Sequence, residues 1–155
     1  MMANKGIKIR FNFSIPSFIP FSTIQITVNE TIVCNNIWEK ISFETFKRPN
    51  GHDEFLEWLE TLPKKDSAKL LRTIEETEKN GMLVAQRLKW VKKLDTNLYE
   101  LRSKVGSNIQ RAIYFHVDNG RYVITHGFTK KTEKTPITEL KHAKELREEW
   151  FTNDD

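Results

Sequence analysis

The sequence predicts an α+β domain, and three observations predict it. Strand-like alternation appears near Ile41 and again from Leu98 to Phe128, two helical repeats lie between them, and a third repeat closes the chain. The order is therefore β-α-α-β-β-β-α. At 155 residues one domain with a real hydrophobic core is expected.

The first strand rests on Ile41, Phe43 and Thr45 alternating with Ser42, Glu44 and Phe46. Arg48-Pro49-Asn50-Gly51 turns the chain, because proline fixes φ and Asn-Gly tolerates positive φ. A helix should follow over residues 52–62, with Phe55, Leu59 and Leu62 in one stripe, Leu56 widening it, and Asp53 and Glu54 in its first turn. Pro63 ends it. A second helix is expected over residues 65–79, burying Ala68, Leu70, Leu71 and Ile74, with Lys69, Glu75, Glu76 and Glu78 in water and Gly81 as its stop. The short loop between the two predicts an antiparallel helical hairpin.

Residues 82–97 read as a connector, with Trp90 among Arg87, Lys89, Lys92 and Lys93. Trp90 either plugs the edge of the core or stacks on a base. Three strands follow: residues 98–102, 109–117 and 121–128, the last two joined by Asp118-Asn119-Gly120. They should form an antiparallel meander whose apolar face the helical hairpin covers. On the middle strand Ile109, Arg111, Ile113, Phe115 and Val117 share a face. Pro136 suits the first turn of a final helix capped by Thr135 or Thr138, with Leu140, Ala143, Leu146 and Trp150 at helical spacing.

Residues 1–37 differ from the rest, so the chain divides into an N-terminal extension, 1–37, and a domain, 38–155. Phe11 to Asn29 carries no charge, yet Pro16, Pro20 and recurring polar residues argue against a membrane helix. Lys5, Lys8 and Arg10 precede that stretch without a small-residue cleavage site, so a cleaved leader is not expected. Ile24 to Val28 and Thr31 to Val33 have the pattern of a short hairpin. No chemistry is legible there.

Hydrophobic residues at 38% and charged residues at 30% exclude a disordered chain. Cys34 is the only cysteine, so no internal disulfide forms and a reducing compartment is expected. The four histidines lack zinc-ligand spacing, so neither a metal nor another cofactor is expected. Charge is concentrated in the middle. Between Gln86 and Lys134 seven lysines and four arginines meet four acids, a net of +7, which leaves −3 for the rest of a chain of net +4. Such a face suits an anionic partner. Residues 126–136, HGFTKKTEKTP, add three lysines and three threonines, the ammonium and hydroxyl donors a phosphate backbone takes.

Leu98-Tyr99-Glu100-Leu101-Arg102, Gln110-Arg111-Ala112-Ile113-Tyr114-Phe115, the HGFTKKTEKTP run and a helix with Glu139, Ala143 and Arg147 together resemble the RelE/ParE superfamily of bacterial toxins. The resemblance is nearest to its phage-derived, HigB-like branch and covers about Lys40 to Phe151. It implies a RelE-like α+β fold: an N-terminal strand, a helix hairpin, a three-stranded meander and a C-terminal helix. It also implies a cytoplasmic toxin paired with a cognate helix-turn-helix antitoxin. Most RelE-like members cleave mRNA, often on the ribosome; ParE-like members bind and poison DNA gyrase, and an inactive regulatory remnant is the third reading.

For the nuclease, 2′-OH attack on the phosphate builds negative charge that fixed cations stabilise, each good donor contributing about 3–4 kcal/mol. The resemblance assigns Arg111 as the phosphate clamp, with Arg102 assisting. Lys130 or Lys131 is the basic residue after the last strand, and a one-residue shift decides between them. His126 is the candidate acid or base by its near-neutral pKa; Glu100, Tyr99 and Tyr114 are further candidates. Lys89, Lys92, Lys93, Thr132 and Lys134 are expected to hold RNA backbone.

Overall fold

The computed structural model describes residues 40–153. The expected N-terminal hairpin and the rest of the 1–37 extension lie outside the described residues. The elements are β1 (Ser42–Thr45), α1 (Glu54–Thr61), α2 (Lys64–Asn80), α3 (Met82–Arg87), β2 (Val91–Asp95), β3 (Leu98–Val105), β4 (Asn108–Asp118), β5 (Arg121–Thr129) and α4 (Ile137–Asn153).

The five strands form one sheet in the order β1-β5-β4-β3-β2. Strands β2 to β5 are an antiparallel meander, and β1 joins β5 in parallel. The meander thus has four strands where three are predicted, and the expected connector supplies both α3 and β2. The missed strand has a physical reason. Val91 and Leu94, three residues apart, point by plain alternation to opposite faces of a sheet that is covered on both, so no single apolar face repeats along this strand.

Both faces are covered. On one, Phe55 of α1, Leu70 of α2 and Ala85 of α3 pack on Val91, Leu101, Ala112, Tyr114 and Ile124. On the other, Ala143 and Leu146 of α4 pack on Leu98, Ile113, Phe115, Val123 and Phe128. Trp150 closes that second core edge-on to Phe46, at 5.5 Å between ring centroids. The α4 stripe is as predicted. The α2 stripe is not: Leu71 and Ala68 are exposed, and Asp66, Leu70, Thr73 and Thr77 are buried. The threonines tolerate burial because their hydroxyls donate to the carbonyls of Lys69 and Thr73, four residues back. Glu78 is not simply in water either, since its carboxylate accepts the Phe43 N–H at 2.6 Å.

Local chemistry sets the ends. Asp53 caps α1 by accepting from Leu56 N–H at 2.9 Å. Asn119 and Gly120 both have positive φ in the β4–β5 turn, the conformation a tight hairpin needs. The Asn97 amide exchanges two 2.9 Å hydrogen bonds with the backbone of His116, tying the β2–β3 turn to β4. Thr135 does not serve as the expected cap; its hydroxyl reaches into the sheet face described next.

Candidate functional site

Strand register gathers the charged residues at one end of the α4-covered face. Arg102 of β3 stands opposite Arg111 of β4, and Glu100 opposite Ile113. Two arginines opposite one another repel unless something neutralises them. Glu100, 1% exposed, is that group: its Oε1 lies 3.6 Å from Nε of both Arg102 and Arg111. Its Oε2 accepts the Thr135 hydroxyl at 2.9 Å. Arg111 also donates through Nη1 to the Gln110 carbonyl at 2.9 Å. At 3.6 Å the guanidinium–carboxylate contacts are coulombic rather than hydrogen bonds, so both buried Nε donors lack a hydrogen-bond partner.

Lysines complete the cluster. Lys92 of β2 is in register with Glu100 and is exposed. Lys130 follows β5, its N–H donating to the Ile109 carbonyl at 2.7 Å. Burial pushes the Lys130 ammonium below its usual pKa; Glu100 opposes this, and Arg111, Arg102 and Lys92 add to it. Burial likewise lowers Arg111, again with Glu100 opposing and Arg102 adding. Four cations therefore share one carboxylate, an arrangement an oxyanion relieves.

His126 reaches this face by a bulge. Ile113 pairs with His126 but Tyr114 pairs with Ile124, so Thr125 is an extra residue in β5. The bulge reverses the alternation and sends His126 and Phe128 to the α4 side, away from Tyr122 and Ile124, their same-face neighbours by simple alternation. The ring is 5% exposed and fully engaged: Nε2 lies 2.9 Å from the Glu139 carboxylate and Nδ1 3.1 Å from the Thr125 hydroxyl. Because the carboxylate accepts, Nε2 carries the proton in the neutral ring, while the Thr125 hydroxyl beside Nδ1 donates its own proton to the Ile113 carbonyl at 3.0 Å. Burial lowers the His126 pKa, with the Glu139 hydrogen bond opposing it. His126 thus holds α4 on the sheet at a position adjoining the cluster.

Gly127 has the opposite duty. A Cβ there would meet Trp58 of α1 inside van der Waals contact, at 2.9 Å from Cδ2 and closer still to Cε3 and Cζ3. Only glycine lets that indole lie flat against the strand between two site-facing residues.

The remaining candidates fall elsewhere. Tyr99 and Tyr114 pair on the opposite face, stacked at 5.4 Å, and burial holds the Tyr114 phenol protonated. They do not reach the arginines, so the expectation that either acts as acid or base is corrected. Lys131, Thr132 and Lys134 lie on the exposed loop after β5, where Thr132 donates to the Lys134 carbonyl at 2.8 Å. Lys93 pairs with Tyr99, out of the cluster, and Lys89 occupies a positive-φ turn. The parts Thr135 and Glu139 play here were missed by sequence reasoning; both read as helix-start residues, and their partners, Glu100 and the bulge-turned His126, are distant in the chain. Among the described residues no group of His, Cys, Asp or Glu is arranged to hold a metal, and no described helix is long and apolar enough to cross a membrane.

No curated protein matches the chain. Among solved structures it is similar to the archaeal RelE–RelB complex from Pyrococcus horikoshii OT3, with 21% identity over 59% of this chain and 97% of that chain and a TM-score of 0.42. The family described as phage derived protein Gp49-like (DUF891) matches residues 57–148, more than half of the chain and the segment that carries every residue of the cation cluster. The chain belongs to the phage-derived Gp49-like family.

Proposed function

We propose that residues 38–155 form the toxin of a toxin–antitoxin pair, an endoribonuclease that cuts mRNA on the ribosome and is restrained by a cognate helix-turn-helix antitoxin in the cytoplasm. One observation carries the reading: Arg102, Arg111, Lys130 and Lys92 surround a single carboxylate, and two buried guanidinium donors have no hydrogen-bond partner. The resemblance of the sequence to RelE/ParE toxins, nearest to their HigB-like branch, points the same way.

The scissile phosphate takes the place those donors leave open. Arg111 and Arg102 bind its non-bridging oxygens and hold the charge that builds as the 2′-oxygen attacks phosphorus, its proton passing to solvent water. Lys130, its pKa lowered, is the general acid that protonates the departing 5′-oxygen. The products are a 2′,3′-cyclic phosphate and a 5′-hydroxyl. Glu100, engaged by three partners, orients the arginines, while His126 positions α4 and Thr125. Lys131, Lys134 and Thr132 hold backbone on one side of the cluster, and Lys89 and Lys93 on the other, beyond Lys92.

Primer extension on mRNA in a translating extract, with and without ribosomes, tests this. Cuts within codons that need ribosomes and vanish with Arg111→Ala are expected. Intact RNA with inhibited supercoiling would replace the proposal with gyrase binding of the ParE kind.

A further inference from the structure

A second basic surface lies at the open edge of the sheet beside α2, and the cluster does not account for it. Strand β2 pairs with β3 from Leu98 to Leu101, and Arg102 N–H still reaches the Trp90 carbonyl at 2.7 Å. Beyond that point β3 is an open edge alongside α2. The result is a groove of about 530 Å³ lined by Lys69, Arg72, Trp90, Arg102, Ser103 and Lys104, with Thr73 and one acid, Glu76, on its wall. That volume is within the range of small-ligand sites.

Three features make it more than a solvated gap. Lys69, Arg72 and Lys104 have no carboxylate within ion-pair distance among the described residues. Ser103 is 3% exposed, and its hydroxyl oxygen has no hydrogen-bond partner although it borders the groove. Trp90 is half-buried, packed against the helical core yet lining the groove. Cations, a free hydroxyl and an indole are the set that takes a nucleotide: phosphates to the cations, a base against the ring. An acidic peptide would use the cations alone. Arg102 belongs both to this groove and to the Glu100 cluster, so the two adjoin.

We propose that this groove is a subsite for a single-stranded RNA nucleotide flanking the scissile phosphate, with its base on Trp90, its sugar or base edge at Ser103, and its phosphates at Lys69, Arg72 and Lys104. The inference rests on the nuclease reading for the direction of the strand, and the binding measurement below stands apart from cleavage.

The probe is a fluorescein-labelled ten-nucleotide uridine RNA, titrated against the whole chain at several salt concentrations. A Lys69→Ala/Arg72→Ala double variant, altered only at the helix surface, should bind about tenfold more weakly and flatten the log–log salt slope by about 1.4. With the protein unchanged, removing one base from the RNA at the position that reaches Trp90 should also weaken binding about tenfold. Unchanged affinity and slope in the double variant would overturn the proposal. So would an RNA whose abasic forms all bind normally while a polyglutamate peptide displaces them, since the groove would then take acidic protein. If both losses appear but no RNA is cut in the extract, the nuclease reading falls and the groove assignment stands. Cutting without either loss gives the reverse.

Discussion

Replacing Glu100 with glutamine removes one charge and almost no volume. Each Nε–Oε1 separation of 3.6 Å corresponds to a gross attraction of about 4.6 kcal/mol at an effective dielectric constant near 20. The desolvation of Glu100 and Arg111 offsets much of that, and removing one partner of a buried ion pair costs about 3–5 kcal/mol net. Glutamine keeps an oxygen for the Thr135 hydroxyl, so the lower end, about 3 kcal/mol, is expected as a lowered urea midpoint with unchanged m. The substitution also raises the positive potential where phosphate is proposed to bind. Millimolar inorganic phosphate should therefore restore more stability to Glu100→Gln than to the parent. Phosphate also stabilises proteins in general by exclusion from their surfaces, so the difference between the two chains is the quantity to read. A variant as stable as the parent would refute Glu100 as the counter-ion, and an equal phosphate gain in both would refute an anion site.

Gly127→Ala should lower stability by about 1–3 kcal/mol in thermal melts, because Trp58 must leave the strand. Asp66→Ala should cost about 2–3 kcal/mol by urea titration, since the carboxylate accepts both the Asn108 and Gln110 amides at 2.9 Å and Gln110 is buried. The His126 pKa is depressed in the fold, so the unfolded chain binds a proton first as pH falls. Its contribution is intact above about pH 6.5 and is lost below it at up to about 1.4 kcal/mol per pH unit. His126→Gln should flatten the stability curve in that window, with His142 and Glu139 unchanged.

What the sequence disclosed follows from what periodicity encodes. Leu140, Ala143, Leu146 and Trp150 keep unbroken helical spacing, and they pack where that spacing says. Arg111 shares a face with Ile113 and Phe115 because β4 alternates cleanly through those residues, so its placement in the sheet was legible too. The errors have separate causes. In β5 the register shift at Thr125 reverses the period that announces which way a side chain points, and no glycine stands there to flag it. Strand β2 was missed because Val91 and Leu94 bury on opposite faces of a sheet covered on both, which leaves no one-sided apolar repeat. The α2 stripe failed for another reason. Asp66 is buried against Asn108 and Gln110, partners that only the fold supplies, Thr73 and Thr77 are buried because their hydroxyls bond within the helix itself, and Leu71 is exposed despite its hydrophobicity.

The same chain contains a comparison that separates structure from function in its charges. Along α4, Arg48 bonds Glu54 at 3.0 Å and Glu149 at 3.1 Å, and His142 bonds Glu54 at 2.6 Å. There the charges are matched and the contacts are hydrogen bonds, which is what a network serving only to join helices needs. Just before α4 begins, Thr135 leans on Glu100, and the pattern inverts: cations outnumber the carboxylate, separations lengthen to 3.6 Å, and guanidinium donors stay open. Chance surface charge would not place those arginines in the sheet, where Arg111 is 5% exposed and repels its cross-strand neighbour. Both ends of one helix face the same solvent and the same selection for stability. The C-terminal end leaves one neutral donor open, the Trp150 indole N–H, whereas beside the N-terminal end two charged guanidinium donors are open, and it is there that a phosphate is proposed to bind.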